Sequence, residues 1–141
     1  MRWLAALWLV LATLGYGCSN GEVRMSGGSA GDYKKVALGF TNALATRNYG
    51  AAYALTSNEY RDSTSVQAMQ AAFEAIVPTD WKAIGPVEVG KTMEDWPGRK
   101  PSDVGRVYVS VGGDVYSEAV TVIVTLEENA LKVRTVEFGR P

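Results

Sequence analysis

Polar and apolar positions divide the chain into three stretches of different texture. Residues 3–14 are apolar except for Thr13, with Arg2 ahead of them and no acidic residue among them. Residues 19–31, SNGEVRMSGGSAG, hold few large side chains and many glycines, a composition that neither builds a core nor restrains the backbone. Helical periodicity begins after it. Val36, Phe40, Ala43 and Leu44 fall on one stripe, predicting a helix over 32–47 with Asp32 as its cap. A short helix over 49–55 turns Ala52, Tyr53 and Leu55 inward. Thr64 or Ser65 caps a third helix, in which Val66, Met69, Phe73 and Ile76 recur every three to four residues until Pro78 ends it.

Beyond Pro78 the period becomes that of strands. Residues 81–89 make a first, Gly- and Pro-broken strand. Residues 106–111 make a clean one, with Val107, Val109 and Val111 opposing Arg106, Tyr108 and Ser110. Gly112, Gly113 and Asp114 predict a turn, since glycine takes positive φ without strain. A third strand spans 119–126, with Val120, Val122, Val124 and Leu126 opposing Thr121, Ile123 and Thr125. Glu127, Glu128 and Asn129 turn the chain into a last strand over 131–138. Three N-terminal helices followed by an antiparallel meander predict an α+β domain over 32–141, with the helices packed on a curved four-stranded sheet. No internal repeat is visible.

The apolar run at 3–14 is too short to span a bilayer and has the length of a signal-peptide core, so residues 1–17 are expected to direct export and be removed. Gly15, Tyr16, Gly17 and Cys18 resemble the bacterial lipobox, in which a dedicated peptidase cleaves before a diacylated cysteine. Leu14 lies four positions before Cys18, where the lipobox has leucine three before, so cleavage near Gly17 by ordinary secretion is the alternative. Cys18 is the only cysteine and has no disulfide partner within the chain, which lipidation would explain. Each acyl methylene buried in the bilayer contributes about 0.8 kcal/mol, so two or three chains hold firmly. Residues 18–31 then form a lipidated tether. Ser19 in place of Asp after the cysteine resembles the pattern sent to the outer membrane in diderm bacteria. The expected location is therefore the cell envelope, on the periplasmic face of the outer membrane in a diderm.

Composition narrows the chemistry. The 141 residues carry 14 basic and 15 acidic side chains and no histidine. Loss of Arg2 with the leader leaves 13 basic against 15 acidic, a net charge of −2. No basic face marks a nucleic-acid partner. Without histidine, the commonest general base and the commonest metal ligand are missing. No cysteine besides Cys18 is present to build a zinc or iron–sulfur site, so no metal and no cofactor is expected.

The segment 40–55, FTNALATRNYGAAYAL, followed by a further helix and long C-terminal strands, resembles the nuclear-transport-factor-2-like superfamily. Its first helix ends in a similar pattern of aromatic, Ala-Leu, polar, Asp/Asn-Tyr, small and Ala. The resemblance covers about 32–140 and implies a cone-shaped sheet wrapped around a long helix. The superfamily includes enzymes such as ketosteroid isomerase, which uses a Tyr on the first helix and an Asp about two dozen residues later. Aligned on the Ala-Leu pair, those positions fall on Phe40 and near Thr64, with Asp62 within reach if the loop shifts. The histidine–aspartate pairs of the family's dehydratases cannot be built here.

Three constellations are candidates for binding. Tyr33, Tyr49, Tyr53 and Tyr60, with Phe40, Phe73 and Trp81, either line the mouth of a pocket in the cone or fill it and send their hydroxyls to its rim. Arg106, Tyr108, Glu118, Thr121, Arg134 and Glu137 can meet on one face of the sheet, where an Arg–Glu pair would anchor a carboxylate ligand or merely form solvated cross-strand ion pairs. The connection 91–103 is long and carries Met93 and Trp96 among charges and prolines. Trp96 with Arg99 and Lys100 has the composition of a protein-binding anchor, unless the indole tucks back over the sheet. The expected function is a non-catalytic envelope binding module recognising a protein partner or a small apolar or anionic ligand through Tyr53, Tyr60, Trp81, Trp96, Arg99, Arg106, Tyr108 or Arg134. A homodimer through the sheet is a further possible partner. The alternative is a small-molecule enzyme of isomerase or lyase type, with Asp62, Tyr108, Glu118 or Glu137 as acid–base groups in the cone pocket.

Overall fold

A computed structural model describes residues 32–81, 84–112 and 117–140. The expected leader, Cys18 and the tether lie outside the described residues, as do positions 113 and 114 of the expected Gly-Gly-Asp turn. Among the described residues, four helices precede four strands: α1 (Asp32–Ala45), α2 (Tyr49–Ala54), α3 (Asn58–Ser63), α4 (Val66–Ile76), β1 (Val87–Met93), β2 (Asp103–Gly112), β3 (Ser117–Glu127) and β4 (Ala130–Phe138). The strands form one open antiparallel sheet in the order β1-β2-β3-β4. The class is α+β, and the helix count corrects the sequence reading from three to four.

Helix α1 crosses the sheet and touches all four strands. It buries Tyr33, Ala37, Phe40, Thr41 and Leu44, a single stripe of one or two residues per turn. Its buried Thr41 hydroxyl donates to the Ala37 carbonyl one turn back, 3.0 Å away. Helix α4 adds Met69 and Phe73. Against them stand Val107, Val109 and Val111 of β2, Val120, Val122 and Val124 of β3 and Val133 of β4, all fully buried. This is the alternation expected of β2 and of Val120, Val122 and Val124. Leu126, expected on the same face, is 41% exposed at the end of β3, and the opposing Thr121, Ile123 and Thr125 are buried as well. Gly105 is needed where α1 meets β2, because a Cβ there would press on the Tyr33 ring, 2.9 Å from its Cζ and nearer still to Cδ2 and Cε2.

Side chains close the helix ends. Asn48, Ser57 and Ser65 accept from the backbone N–H groups of Ala51, Tyr60 and Ala68 and so cap α2, α3 and α4. Arg47, at φ 59° just past α1, donates to the carbonyls of Val77 and Pro78, each at 3.0 Å, and its guanidinium lies over the Phe73 ring. One cation thus ties the end of α1 to the end of α4. The β3–β4 hairpin turns through Glu128 and Asn129, both at positive φ, the conformation a two-residue hairpin demands.

The two sheet edges are treated differently. On β4, Thr56 bridges Val133 in parallel; Ser57 N–H donates to the Val133 carbonyl and Val133 N–H to the Leu55 carbonyl. The α2–α3 link therefore seals the middle of that edge. The other edge, β1, lies at Val87–Met93 rather than 81–89 and is exposed over most of its length. Its register with β2 shifts between Val89 and Lys91, which makes Gly90 the extra residue of a bulge.

Candidate functional site

The side of the sheet facing the helices has no room for a ligand near its centre, since Tyr33, Phe40, Leu44, Met69 and Phe73 are at most 1% exposed. Of the two readings of the aromatic cluster, its residues pack as core and rim. Tyr49 donates to Glu74 at 2.8 Å and receives Arg47, while its ring meets Phe73 edge-on. Burial pushes the Tyr49 phenol above its ordinary value, against the Arg47 hydrogen bond. Tyr53 donates to the Thr64 carbonyl at 2.9 Å with Arg61 over its ring. Tyr60 is buried, and burial, with Tyr53 adding to it, pushes its phenol up to about 12. Trp81 is half-buried against the core.

A hollow of about 360 Å³ opens on the opposite side of the sheet, within the usual range for small-molecule sites. Register explains its make-up. Lys91 pairs with Tyr108, Tyr108 with Thr121 and Thr121 with Glu137, so these four side chains form one row across all four strands. The next row runs Met93, Arg106, Ile123 and Thr135. On the other side of the Lys91 row, Ser110 faces Ala119, and Gly139 donates its N–H to Ala119 at 2.8 Å. The hollow lies over the Lys91 row, with Met93 and Arg106 from the next row and the chain from Phe138 to Arg140 completing its lining. The Gly90 bulge decides which β1 residues enter it. With Val89 opposite Val109 and Lys91 opposite Tyr108, the extra residue moves Lys91 and Met93 to this face. Gly90 also lets the Tyr108 ring lie against the strand, with Cδ1 3.1 Å from where a Cβ would be.

Of the strand residues expected to meet, Arg106, Tyr108, Thr121 and Glu137 do so here. Arg106 donates to Glu137 at 2.9 Å as a half-exposed cross-strand pair. Glu118 stands 3.6 Å from Arg140 at the margin. The lining carries Lys91, Arg106 and Arg140 against the single carboxylate Glu137, a balance that favours an anion. Lys91 and Arg140 went unnoticed in the sequence reading. The signal for Lys91 was Gly90, since a glycine within a strand marks a bulge or a close approach.

Arg134 is engaged elsewhere. The β3–β4 register shifts between Ile123 and Val124, leaving Arg134 as the unpaired residue of a bulge. Its Nε and Nη2 donate to the two Asp103 oxygens at 2.7 and 2.6 Å. The Asp103 side chain is fully enclosed and also accepts from the Lys100 N–H at 2.8 Å. Burial pushes the Asp103 carboxyl up, but the Arg134 fork and the Lys100 N–H outweigh it and hold the group below its ordinary value. Glu59 joins from α3, 2.6 Å from Lys100 Nζ and 3.7 Å from Arg134 Nη1.

This network folds the 94–102 connection down, and the expectation of an exposed Trp96 anchor is corrected by it. Trp96 is 7% exposed and lies outside the main core cluster. Arg99 sits over its ring, 5.9 Å from the centroid, and donates to the Asp103 carbonyl at 2.8 Å. Ser102 receives the Thr125 hydroxyl and the Leu126 N–H. A large indole gains more from burial than from presenting its area to water. Asp62, the candidate acid–base group of the helical half, is exposed on α3. Among the described residues, no cluster of acidic or cysteine side chains is arranged to hold a metal ion. Searches of protein-family models, curated proteins and solved structures find no match to this chain.

Proposed function

We propose that the chain is an exported, lipid-anchored, non-catalytic binding domain of nuclear-transport-factor-2-like architecture that takes a small ligand on the open face of its sheet. The fold reading is supported by helices that precede a four-stranded antiparallel meander and pack along one face of it. The anchor reading is supported by the apolar leader, Cys18 and the glycine-rich segment before Asp32. The observation that carries the binding reading is the contrast between faces. The helix side is filled by Tyr33, Phe40 and Phe73, while the far side keeps a hollow lined by charged and hydroxyl side chains.

Two measurements test it. Cys18→Ser should move the protein from the membrane to the soluble fraction; retention in the membrane overturns the anchor. Native mass spectrometry of the protein isolated from its own cells should find a bound small molecule that Tyr108→Ala releases. An adduct indifferent to Tyr108→Ala, or no adduct, overturns the sheet-face site.

A further inference from the structure

We propose that the hollow binds a small organic monocarboxylate, its carboxylate held between Lys91, Tyr108 and Thr121 and its apolar body lying along Met93 and the Tyr108 ring. This rests on the reading of the open sheet face as a binding surface and names the class of ligand.

Three donors without protein partners carry the inference. Thr121 forms the floor of the hollow and is 9% exposed, yet its hydroxyl makes no hydrogen bond to any described residue. Every fully enclosed side-chain polar atom among the described residues is hydrogen-bonded, so this hydroxyl opens onto the hollow. Tyr108, its neighbour in the row, has no hydrogen-bond partner for its hydroxyl among the described residues either. Lys91 completes the set. The other cations of this face are paired, Arg106 with Glu137 and Arg140 with Glu118, whereas no described carboxylate lies within ion-pairing distance of Lys91. An ammonium and two hydroxyls side by side form a donor set suited to an acceptor-only, singly charged group.

The remaining lining selects among anions. The Arg106 fork, the natural partner of a phosphate dianion, is already committed to Glu137. Glu137 ends the row that Lys91 begins, and strands about 4.8 Å apart place their backbones roughly 14 Å from each other. A second carboxylate on the ligand would meet Glu137 there and be repelled. The unbranched Met93 thioether, on the same strand as Lys91, and the Tyr108 ring beside them supply an adaptable apolar wall at the Lys91 end.

The test is calorimetric titration of the Cys18→Ser chain, purified without detergent, with hexanoate, hexanol, adipate and inorganic phosphate. Hexanoate should bind saturably and roughly tenfold or more tightly than the other three. Lys91→Gln should weaken it by at least about tenfold and Thr121→Val severalfold, with unfolding temperatures unchanged, while Lys35→Gln on α1 has no effect. Absence of saturable hexanoate binding, equal binding of hexanol or adipate, or an unaltered affinity in Lys91→Gln overturns the proposal. If hexanoate fails while Tyr108→Ala still strips the natively bound molecule, the ligand class falls and the binding face stands. If both fail, both fall.

Discussion

Arg134→Met removes the guanidinium fork from Asp103 and leaves a carboxylate whose side chain is fully enclosed with the Lys100 N–H as its one remaining donor. Methionine matches the length of the lost stem, so packing changes little and the charge imbalance dominates. Breaking a buried pair from one side costs about 3–5 kcal/mol. A domain of this size has about 5–15 kcal/mol in all, so the variant should lose a large fraction of its stability. The pH dependence separates this cause from a packing defect. In the parent protein the Asp103 pKa is lowered by folding, so its contribution is present above the unfolded carboxylate value and is lost as pH falls through the lower folded one. In Arg134→Met, burial is no longer opposed by the fork and raises that pKa. The penalty is then largest when Asp103 is charged and shrinks as acid neutralises it. Urea unfolding followed by circular dichroism at about pH 7 and about pH 4 measures both. Asp103→Asn combined with Arg134→Met should cost less than the sum of the single changes. A loss below about 1 kcal/mol, or a penalty equal at the two pH values, refutes the reasoning.

Other outcomes follow from the packing. Gly105→Ala forces a methyl against the Tyr33 ring and should cost about 1–3 kcal/mol or more; thermal unfolding checks it, and Tyr33→Leu in the same chain should recover part of the loss. Tyr60, raised from 10.0 to about 12 by burial, contributes stability that is complete below the unfolded value and is lost as pH rises toward and through the folded one. The amount is about 2–3 kcal/mol, and Tyr60→Phe should abolish that alkaline dependence in denaturant titrations. Trp96, enclosed beneath Arg99, should emit at short wavelength in a mature-length Trp81→Phe chain and resist acrylamide quenching; a water-like spectrum would contradict its burial.

Much of this architecture was legible in the sequence wherever one face of an element is buried and the other wet. The stripe through Phe40 and Leu44, the one through Met69 and Phe73, and the valine alternation on β2 identify their elements without further information, while β3, buried on both faces from Ala119 to Thr125, shows itself by its β-branched run. Helix α3 escaped because NEYRDS buries Tyr60 alone, and a single apolar residue has no period. The Ser57 cap and the pairing of the preceding link with Val133 hold it, and that pairing crosses more than seventy residues of chain. Strand β1 was misplaced for a related reason. An exposed edge strand has no buried face to impose alternation, and its register comes from β2. The candidate site was half legible. Arg106, Tyr108, Thr121 and Glu137 were grouped by strand position, but Arg134 was diverted by a bulge that only pairing geometry reveals. Trp96 was conspicuous in composition, yet its direction depends on Asp103 and Arg134 meeting across the fold.

The extra residue at Gly90 acts as a parity switch in the chain. Residues before it and after it count outward-facing positions on opposite parities, so pairing Gly90 regularly opposite Tyr108, with no bulge, would turn Lys91 and Met93 toward the helices without altering a single side chain's chemistry. A related chain that keeps the residue but pairs it without a bulge must therefore exchange its inward and outward residues throughout the second half of this strand, whereas one that drops it keeps them. The facing of the residues after this point, more than identity at Lys91 alone, will sort chains that can carry the hollow from those that cannot.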